Sequence, residues 1–369
     1  MDENLNSTIY DNIIIGGGIS GCSVAYELKK HSSSILLIDK REDVGSGASG
    51  AAGAFLSPLL GKPNGFKDLV TTSLKYATTF YNEITPEFIE NCGTIRVPKN
   101  KEDRDKFESY IPFMEFEYEV KEDGYFFPIG SVVKSYNICK ALTNDIEKLL
   151  NYEVNSIKFE DDLWIIDKKI KAKNLILTTG ASINLIGELY FNIRPVWGQR
   201  IVIQTSTCIN QNYHKECSIS KSIQKDENTF ITSIGATHHR NVLDKKIDNN
   251  DTEVLLKKAN DIIDIQNVKV IQEIAGARAS SVDYFPIVGE LIDSKKTVEK
   301  FPYLKNGTHV NEDRFTRYKK LFLLNGIGGR GFVLAPYLAK NLVDLIVNKK
   351  DVDANIKTDR LFKRWVKKT

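Results

Sequence analysis

No stretch of the 369-residue chain approaches the roughly 18 consecutive apolar residues of a membrane-spanning helix, so a helical span or anchor is excluded. Cysteine is scarce and scattered, with five residues at 22, 92, 139, 208 and 217 and no CxxC pair. An odd, dispersed set suits neither a disulfide framework nor a zinc ribbon. The five histidines, at 31, 214, 238, 239 and 309, lack HxH or HxxxH spacing, so no metal is expected. A GxSxG elbow is missing too, and no residue pair reads as a hydrolytic nucleophile with its base. Charge of one sign is not in excess: 51 Lys and Arg against 48 Asp and Glu leave +3, which names no partner. The opening MDENLNSTIY is polar and acidic, where a secretory signal is basic and then apolar. A cytoplasmic protein is the expectation.

What is present points to an α/β fold. With 41% hydrophobic and 27% charged residues the chain can bury a full core, and its length suits two domains or one large unit with an insertion. YDNIII at Tyr10 to Ile15 enters a glycine cluster. Ile19 to Lys30 then has helical spacing, and ILLI at Ile35 to Ile38 ends at Asp39. Strand, glycine turn, helix and strand open a dinucleotide-binding unit.

Gly16-Gly17-Gly18-Ile19-Ser20-Gly21 satisfies GxGxxG. Gly16 serves the tight turn, Gly18 lets the backbone approach a pyrophosphate, and Gly21 allows close helix–strand packing. Asp39, at the end of the next strand, can accept from a ribose 2′-hydroxyl and disfavours a 2′-phosphate. The motif alone does not separate FAD from NAD. Two further glycine-rich segments favour the longer FAD: Gly45 to Gly53, a packed loop, and Asn325 to Gly331, a second strand–glycine–helix junction. A helix starting near Gly331 would aim its amides at the N1/C2 carbonyl side of a flavin. Arg278 and Arg330 sit among Gly and Ala and suit a carboxylate in a cleft. Trp197-Gly198-Gln199-Arg200 supports either the ring and pocket or, equally, the core before a turn.

Elsewhere, Asp68 to Phe80 and Val132 to Leu150 read as helices, and Leu163–Ile166, Asn174–Leu177 and Leu321–Leu324 as strands. Met114, Phe116, Tyr118 and Val120 alternate with Glu115, Glu117 and Glu119, which predicts a half-exposed strand with one acidic face. Residues 196 to 236 suggest an antiparallel layer. The expected organisation is a Rossmann-like cofactor domain in three pieces, 9–85, 131–190 and 276–350, with an inserted, mainly antiparallel-sheet substrate domain over 86–130 and 191–275. A basic segment, 351–369, follows. Its last 13 residues carry six bases and one acid, with Leu361, Phe362, Trp365 and Val366 on an apolar side. That is a basic amphipathic helix, either docked as a cap or touching nucleic acid.

Taken together, GASGAAG, TTGA at 178–181, GARASSVDYFPIVG and NGIGGRG resemble the FAD-dependent D-amino-acid oxidase-like superfamily, in its order. Leu56-Ser57-Pro58-Leu59-Leu60, Gly235-Ala236-Thr237-His238-His239-Arg240 and Asp359-Arg360-Leu361-Phe362 are similar to one branch of it. That branch is the oxidoreductase half of the bifunctional bacterial enzymes that mature 5-carboxymethylaminomethyl-uridine at the tRNA wobble position. The resemblance implies a glycine oxidase-like fold and oxidation of a C–N bond, giving an aminomethyl-uridine and glyoxylate. A free small amino acid (glycine, sarcosine or a D-amino acid) is the alternative substrate.

The resemblance also implies roles for residues. Gly16, Gly18, Ile19, Ser20 and Gly21, with Asp39 and Lys40, would hold the adenosine and pyrophosphate. Ser49 and Ala52 would meet the phosphate and ring side and Gly328, Gly329, Arg330 and Gly331 the N1/C2 carbonyl side, with Ala48, Gly53, Val154, Thr179, Gly180 and Phe332 as further cofactor contacts. Arg278 and Arg330 would be catalytic, Arg278 gripping the substrate carboxylate and Arg330 sharing that contact or polarising the flavin, with His239 and Arg240 as further substrate contacts. Lys62, Lys67 and the basic tail are candidates for the tRNA anticodon loop, with the acidic strand facing away. The chain departs from its relatives in three ways. It starts ten residues before the first strand, so a separate methyltransferase is expected to act on the product. Cys217-Ser218-Ile219-Ser220 stand where simple glycine oxidases place a substrate tyrosine. No cysteine falls between Gly289 and Leu321, so FAD is expected to be noncovalent.

Overall fold

The apolar runs near the N-terminus form the strands Ile9–Ile15 and Ile35–Ile38 in the computed structural model, which describes residues 8–368. Residues 1–7, read above for a targeting signal, and Thr369 lie outside the described residues. The two strands are apolar at nearly every position because both faces are covered. Ile14, Ile35 and Leu37 face one core, and Ile13, Ile15, Leu36 and Ile38 face another. They pair in parallel with each other, and Ile170–Leu177 pairs in parallel with the first. Arg317–Asn325 extends this parallel ladder, giving an eight-stranded mixed sheet.

Helices Ile19–Lys29, Gly65–Ile84 and Gly331–Asn348 cover one face, burying Ala25, Leu28, Leu74, Ala77, Leu338 and Leu342. The second helix outruns the expected 68–80 because Asn64 caps it, accepting from the Phe66 and Lys67 amides. A second sheet of ten strands is built on Ile193–Thr205, which pairs antiparallel with Lys269–Ser281 and Thr229–Gly235. Thr94–Arg96, Glu119–Lys121 and Gly124–Phe127 join the same sheet, so segments far apart in sequence share one layer. This is the mixed α/β architecture with an antiparallel layer that the motifs imply.

Several local expectations are corrected. Residues 132–150 are not one helix but the end of the strand Ser131–Val133, the helix Ser135–Leu142 and the strand Glu147–Leu149. The last pairs in parallel with Ile35–Ile38, and sheet pairing overrides the helical spacing. Of the Met114–Val120 segment only Glu119 and Val120 are in a strand; residues 114–118 alternate in burial without a ladder. Phe116 and Tyr118 pack instead against a cluster of Phe107, Tyr125 and Phe127. Lys269–Ser281 runs straight across residue 276, placing that expected domain boundary inside a strand. Trp197 lies within a long strand rather than before a turn.

The basic tail is docked. Helix Thr358–Val366 buries Leu361, Phe362 and Val366 in the second core, with Phe362 edge-on to Phe315 and Tyr190. Half of the tail's six bases are paired. Arg360 makes two bonds to Asp283 at 3.0 and 3.1 Å, Lys357 pairs with Asp351, and Lys363 with Glu312. Arg364, Lys367 and Lys368 have no ion pair among the described residues. Phe362→Ala should therefore cost about 3–5 kcal/mol in denaturant unfolding, through the cavity it leaves. Lys367→Ala should stay within about 0.5 kcal/mol. Equal effects would contradict a packed cap.

Candidate functional site

Ile38, Ile15, Leu177 and Leu323 are register neighbours across four parallel strands. The loops that follow therefore open side by side at the carboxyl ends of the strands, where α/β sheets bind ligands. Gly16 turns the chain with φ +112°, and a Cβ there would strike the Thr178 carbonyl. A Cβ on Gly21 would overlap the Gly16 carbonyl oxygen, so the helix can start only this close to the strand without one. Thr178 Oγ1 donates to that same oxygen at 2.8 Å.

Three more bonds hold the turn. Asp39 accepts from the Gly17 amide at 2.5 Å and, through its other oxygen, from the Arg41 amide at 2.8 Å. Each oxygen keeps a lone pair for a ligand hydroxyl. Ser49, on the short helix Ala48–Ala51, accepts from the Ile19 amide at 2.9 Å. The helix Ile19–Lys29 has no side-chain cap, and the Gly18 and Ser20 amides have no acceptor among the described residues. Such orphaned donors at a helix start are an anion cradle.

From this edge a groove of about 1430 Å³ runs between the two sheets. Ligand pockets usually measure roughly 300–1,000 Å³, so this one has room for a dinucleotide and a further small group. The sequence candidates Gly16, Gly18, Ile19, Ser20, Asp39 and Lys40 line it at one end. Val154 follows a segment bonded to Asp39 and Lys40 at that same end, and Ala48, Ser49, Ala52, Gly53, Thr179, Gly180 and residues 328–332 line the groove too. There the 18-residue helix Gly331–Asn348 begins, again without a side-chain cap. An open phosphate cradle, a ribose-facing carboxylate and a second helix start in one groove fit FAD. Gly21 does not line the groove; it sits behind the turn and serves packing.

Arg278 and Arg330 both reach the groove. Arg278 crosses Gly198 and donates to the Thr237 carbonyl at 3.1 Å. Arg330 donates to the Ser57 carbonyl at 3.4 Å. Burial pushes both guanidinium groups down, Arg330 to about 10. Both stay charged at neutral pH, and neither forms an ion pair among the described residues.

Other candidates fall elsewhere. His239 and Arg240 do not line the groove. His239 Nε2 is bound to Asp251 at 2.8 and 2.9 Å, beside Lys245. Its neighbour His238, just before the short strand His239–Arg240, lines the groove instead. Lys67 is buried, not offered to solvent: its Nζ donates to Glu115 at 2.6 Å and to the Phe113 carbonyl at 2.7 Å. Lys62 is exposed.

Arg96, His214, Cys217 and Tyr284 line the groove without having been singled out as site residues from sequence. Arg96 and His214 become neighbours through the parallel pairing of Thr94–Arg96 with Asn212–His214, which no local pattern announces. The turn carrying Tyr284 (φ +67°) is clamped from behind by the Arg360–Asp283 pair. Among the described residues no three His, Cys, Asp or Glu side chains converge as a metal group.

A model of the FAD dependent oxidoreductase family matches residues 11–345, and the chain belongs to that family. Among curated relatives, the tRNA 5-methylaminomethyl-2-thiouridine biosynthesis bifunctional protein MnmC of Legionella pneumophila (strain Lens) is 25% identical over 362 residues. The match covers 90% of this chain and 54% of that protein. The MnmC of Campylobacter fetus subsp. fetus (strain 82-40) is 21% identical, covering 93% and 57%. The chain thus spans a little over half the length of these relatives. Glycine oxidase from Bacillus cereus ATCC 14579 shares the fold with a TM-score of 0.73 at 19% identity, covering 93% of this chain and 96% of that one. L-proline dehydrogenase from P. horikoshii does so at 0.72 and 18%, covering 97% and 98%.

Burial, with the nearby Arg96 and Arg330, holds the His214 imidazole well below its ordinary range. Unfolded, His214 takes a proton below about pH 6.5; folded, it stays neutral. The unfolded state then binds more protons, so stability should fall as pH drops through about 6.5. His214→Asn should flatten that part of a melting-temperature profile between about pH 7.5 and 5. An unchanged slope would contradict the neutral imidazole.

Proposed function

We propose that this oxidoreductase oxidises the C–N bond of a carboxymethylamine, R–CH2–NH–CH2–COO⁻, and that R is the wobble uridine of a tRNA. The observation that carries the reading is the Arg278 guanidinium, buried in the groove beside Gly329 without a carboxylate partner. A forked, always-charged donor in a dehydrated cleft is suited to a carboxylate. Relatives named for 5-methylaminomethyl-2-thiouridine biosynthesis supply the tRNA half of the proposal. FAD, held noncovalently, supplies the hydride acceptor. The one cysteine lining the groove, Cys217, has its thiol pushed up to about 11 by burial, which keeps it unreactive.

The chain's own work is binding and orientation. Arg278 fixes the carboxylate and so places the adjacent methylene in the groove. Arg278 and the nearby Arg330 disfavour a protonated amine, so the nitrogen binds neutral and its lone pair can assist hydride loss without a protein base. Loss of the hydride and the N–H proton leaves R–CH2–N=CH–COO⁻. Water then releases R–CH2–NH2 and glyoxylate. Gly16, Gly18, Ser20 and Asp39 hold the dinucleotide end, and residues 328–331 the flavin end. A separate methyltransferase would act on the amine, and the reaction belongs in the cytoplasm, with tRNA. Among the described residues no helix is long and apolar enough to cross a membrane.

The tRNA contact rests on fewer cations than the tail's composition suggests, since Lys357, Arg360 and Lys363 are paired. Lys62, Arg364, Lys367 and Lys368 remain for phosphates. Amino-acid oxidation is the second reading, favoured by the shared fold with glycine oxidase. Glyoxylate release should be seen from tRNA bearing carboxymethylaminomethyl-uridine and be faster than from glycine or sarcosine at equal concentration. Arg278→Lys should lower kcat/KM at least about tenfold, because a point charge replaces the fork. Unchanged turnover would remove Arg278 from the mechanism, and faster turnover of the amino acids would move the substrate to the second reading.

A further inference from the structure

Two guanidinium groups meet over one dipeptide. Arg96, at the end of Thr94–Arg96, donates to the Pro58 carbonyl at 3.1 Å and reaches Ser57 Oγ at 3.5 Å. Arg330 arrives from the opposite side of the groove's floor and donates to the Ser57 carbonyl. The Arg96 Nε is buried and has no hydrogen-bond partner. Burial, then the proximity of Arg330, push Arg96 down to about 9. The field of Asp103 reaches Arg96, but no carboxylate lies within ion-pair distance of it among the described residues.

The neighbours do not neutralise this pair. His214, paired in register with Arg96, is neutral, and its Nδ1 is bonded to Ser218 Oγ at 2.7 Å. Glu216, also on the groove, is 4.0 Å from Lys99. Adjacent buried cations repel, and an unmade charged hydrogen bond costs more than an ordinary one. Both costs are recovered when an oxyanion sits between them. Arg278 is placed differently, over Gly198 and against Thr237, on the strands of the second sheet.

We propose that Arg96 and Arg330 form a second oxyanion subsite, so that the groove selects substrates carrying an anion on the arm away from the reacting carboxylate. The subsite rests on the reading of Arg278 as the grip for that carboxylate. Its ligand chemistry is a carboxylate or a phosphate oxyanion. A carboxymethylamine attached to a nucleotide, or a dicarboxylic secondary amine, has both groups; glycine and sarcosine have one. Arg96 is thus a specificity-determining residue, not one that takes part in bond breaking.

Calorimetric titration of the flavin-loaded protein with propionate, succinate and phosphonopropionate tests this directly. Succinate or phosphonopropionate should bind at least about tenfold tighter than propionate, the margin expected of one charge-assisted contact. Whichever of the two gains more identifies the oxyanion. Arg96→Met should reduce that preference below about twofold while leaving propionate affinity within about threefold. Arg96→Lys, which keeps the charge, should retain part of the preference and serves if Arg96→Met does not fold. No preference in the unaltered protein, no binding of any of the three, or a preference that survives Arg96→Met would overturn the subsite. Glyoxylate release reports on the carboxymethylamine reading separately. A failed release with the dianion preference intact would remove the reaction and keep the subsite.

Discussion

The molecule depends on the register of four parallel strands. Because Ile38, Ile15 and Leu177 end their strands at one level, and Arg317–Asn325 runs two residues past Leu323 beside them, Asp39, Gly16, Thr178 and the end of the fourth strand all emerge at the same edge. Segments separated by up to 162 residues then converge on the turn after the first strand. Thr178 bonds the Gly16 carbonyl, Asp39 the Gly17 amide and Ser49 the Ile19 amide. With these groups satisfied, the Gly18 and Ser20 amides are left without an acceptor among the described residues. Shifting any one strand by a residue would turn its core-facing side chains over and break the alignment. Register therefore underlies both the core and the cradle.

Electrostatics divides the chain into answered and unanswered charges. In the tail, Arg360, Lys357 and Lys363 are matched by Asp283, Asp351 and Glu312, and the buried Asp359 is matched by Arg317. Half of the tail's six bases are thus answered, and Arg364, Lys367 and Lys368, on its exposed side, stay open among the described residues. Inside the groove, Arg96, Arg278 and Arg330 are buried without acids. Dehydrated guanidinium groups left without acids are suited to receive an anion there.

Much of this was legible in the sequence because it is local. The apolar runs, the glycines at 16 to 21 and 326 to 331, and Asp39 are readable without neighbours, and all but Gly21 of the proposed cofactor residues line the groove. What escaped depends on pairing. Residues 132–150 have helical spacing, yet Glu147–Leu149 is drawn into the sheet by Ile35–Ile38. Lys67 read as a surface cation until the 113–115 segment folded over it. His239 rather than His238 is the expected substrate contact, but His239 is held by Asp251 while His238, just before the strand, lines the groove. Arg96 and His214 meet only because two segments more than a hundred residues apart pair in parallel.

The central claim is that the groove brings the carboxymethylamine of a tRNA nucleotide to the flavin. Anaerobic rapid mixing of the flavin-loaded protein with tRNA carrying carboxymethylaminomethyl-uridine, in parallel with glycine and sarcosine, measures it through loss of the visible flavin band. The account predicts fast bleaching by the modified tRNA and slow or no bleaching by the amino acids. Bleaching by glycine or sarcosine as fast as by the tRNA would contradict it.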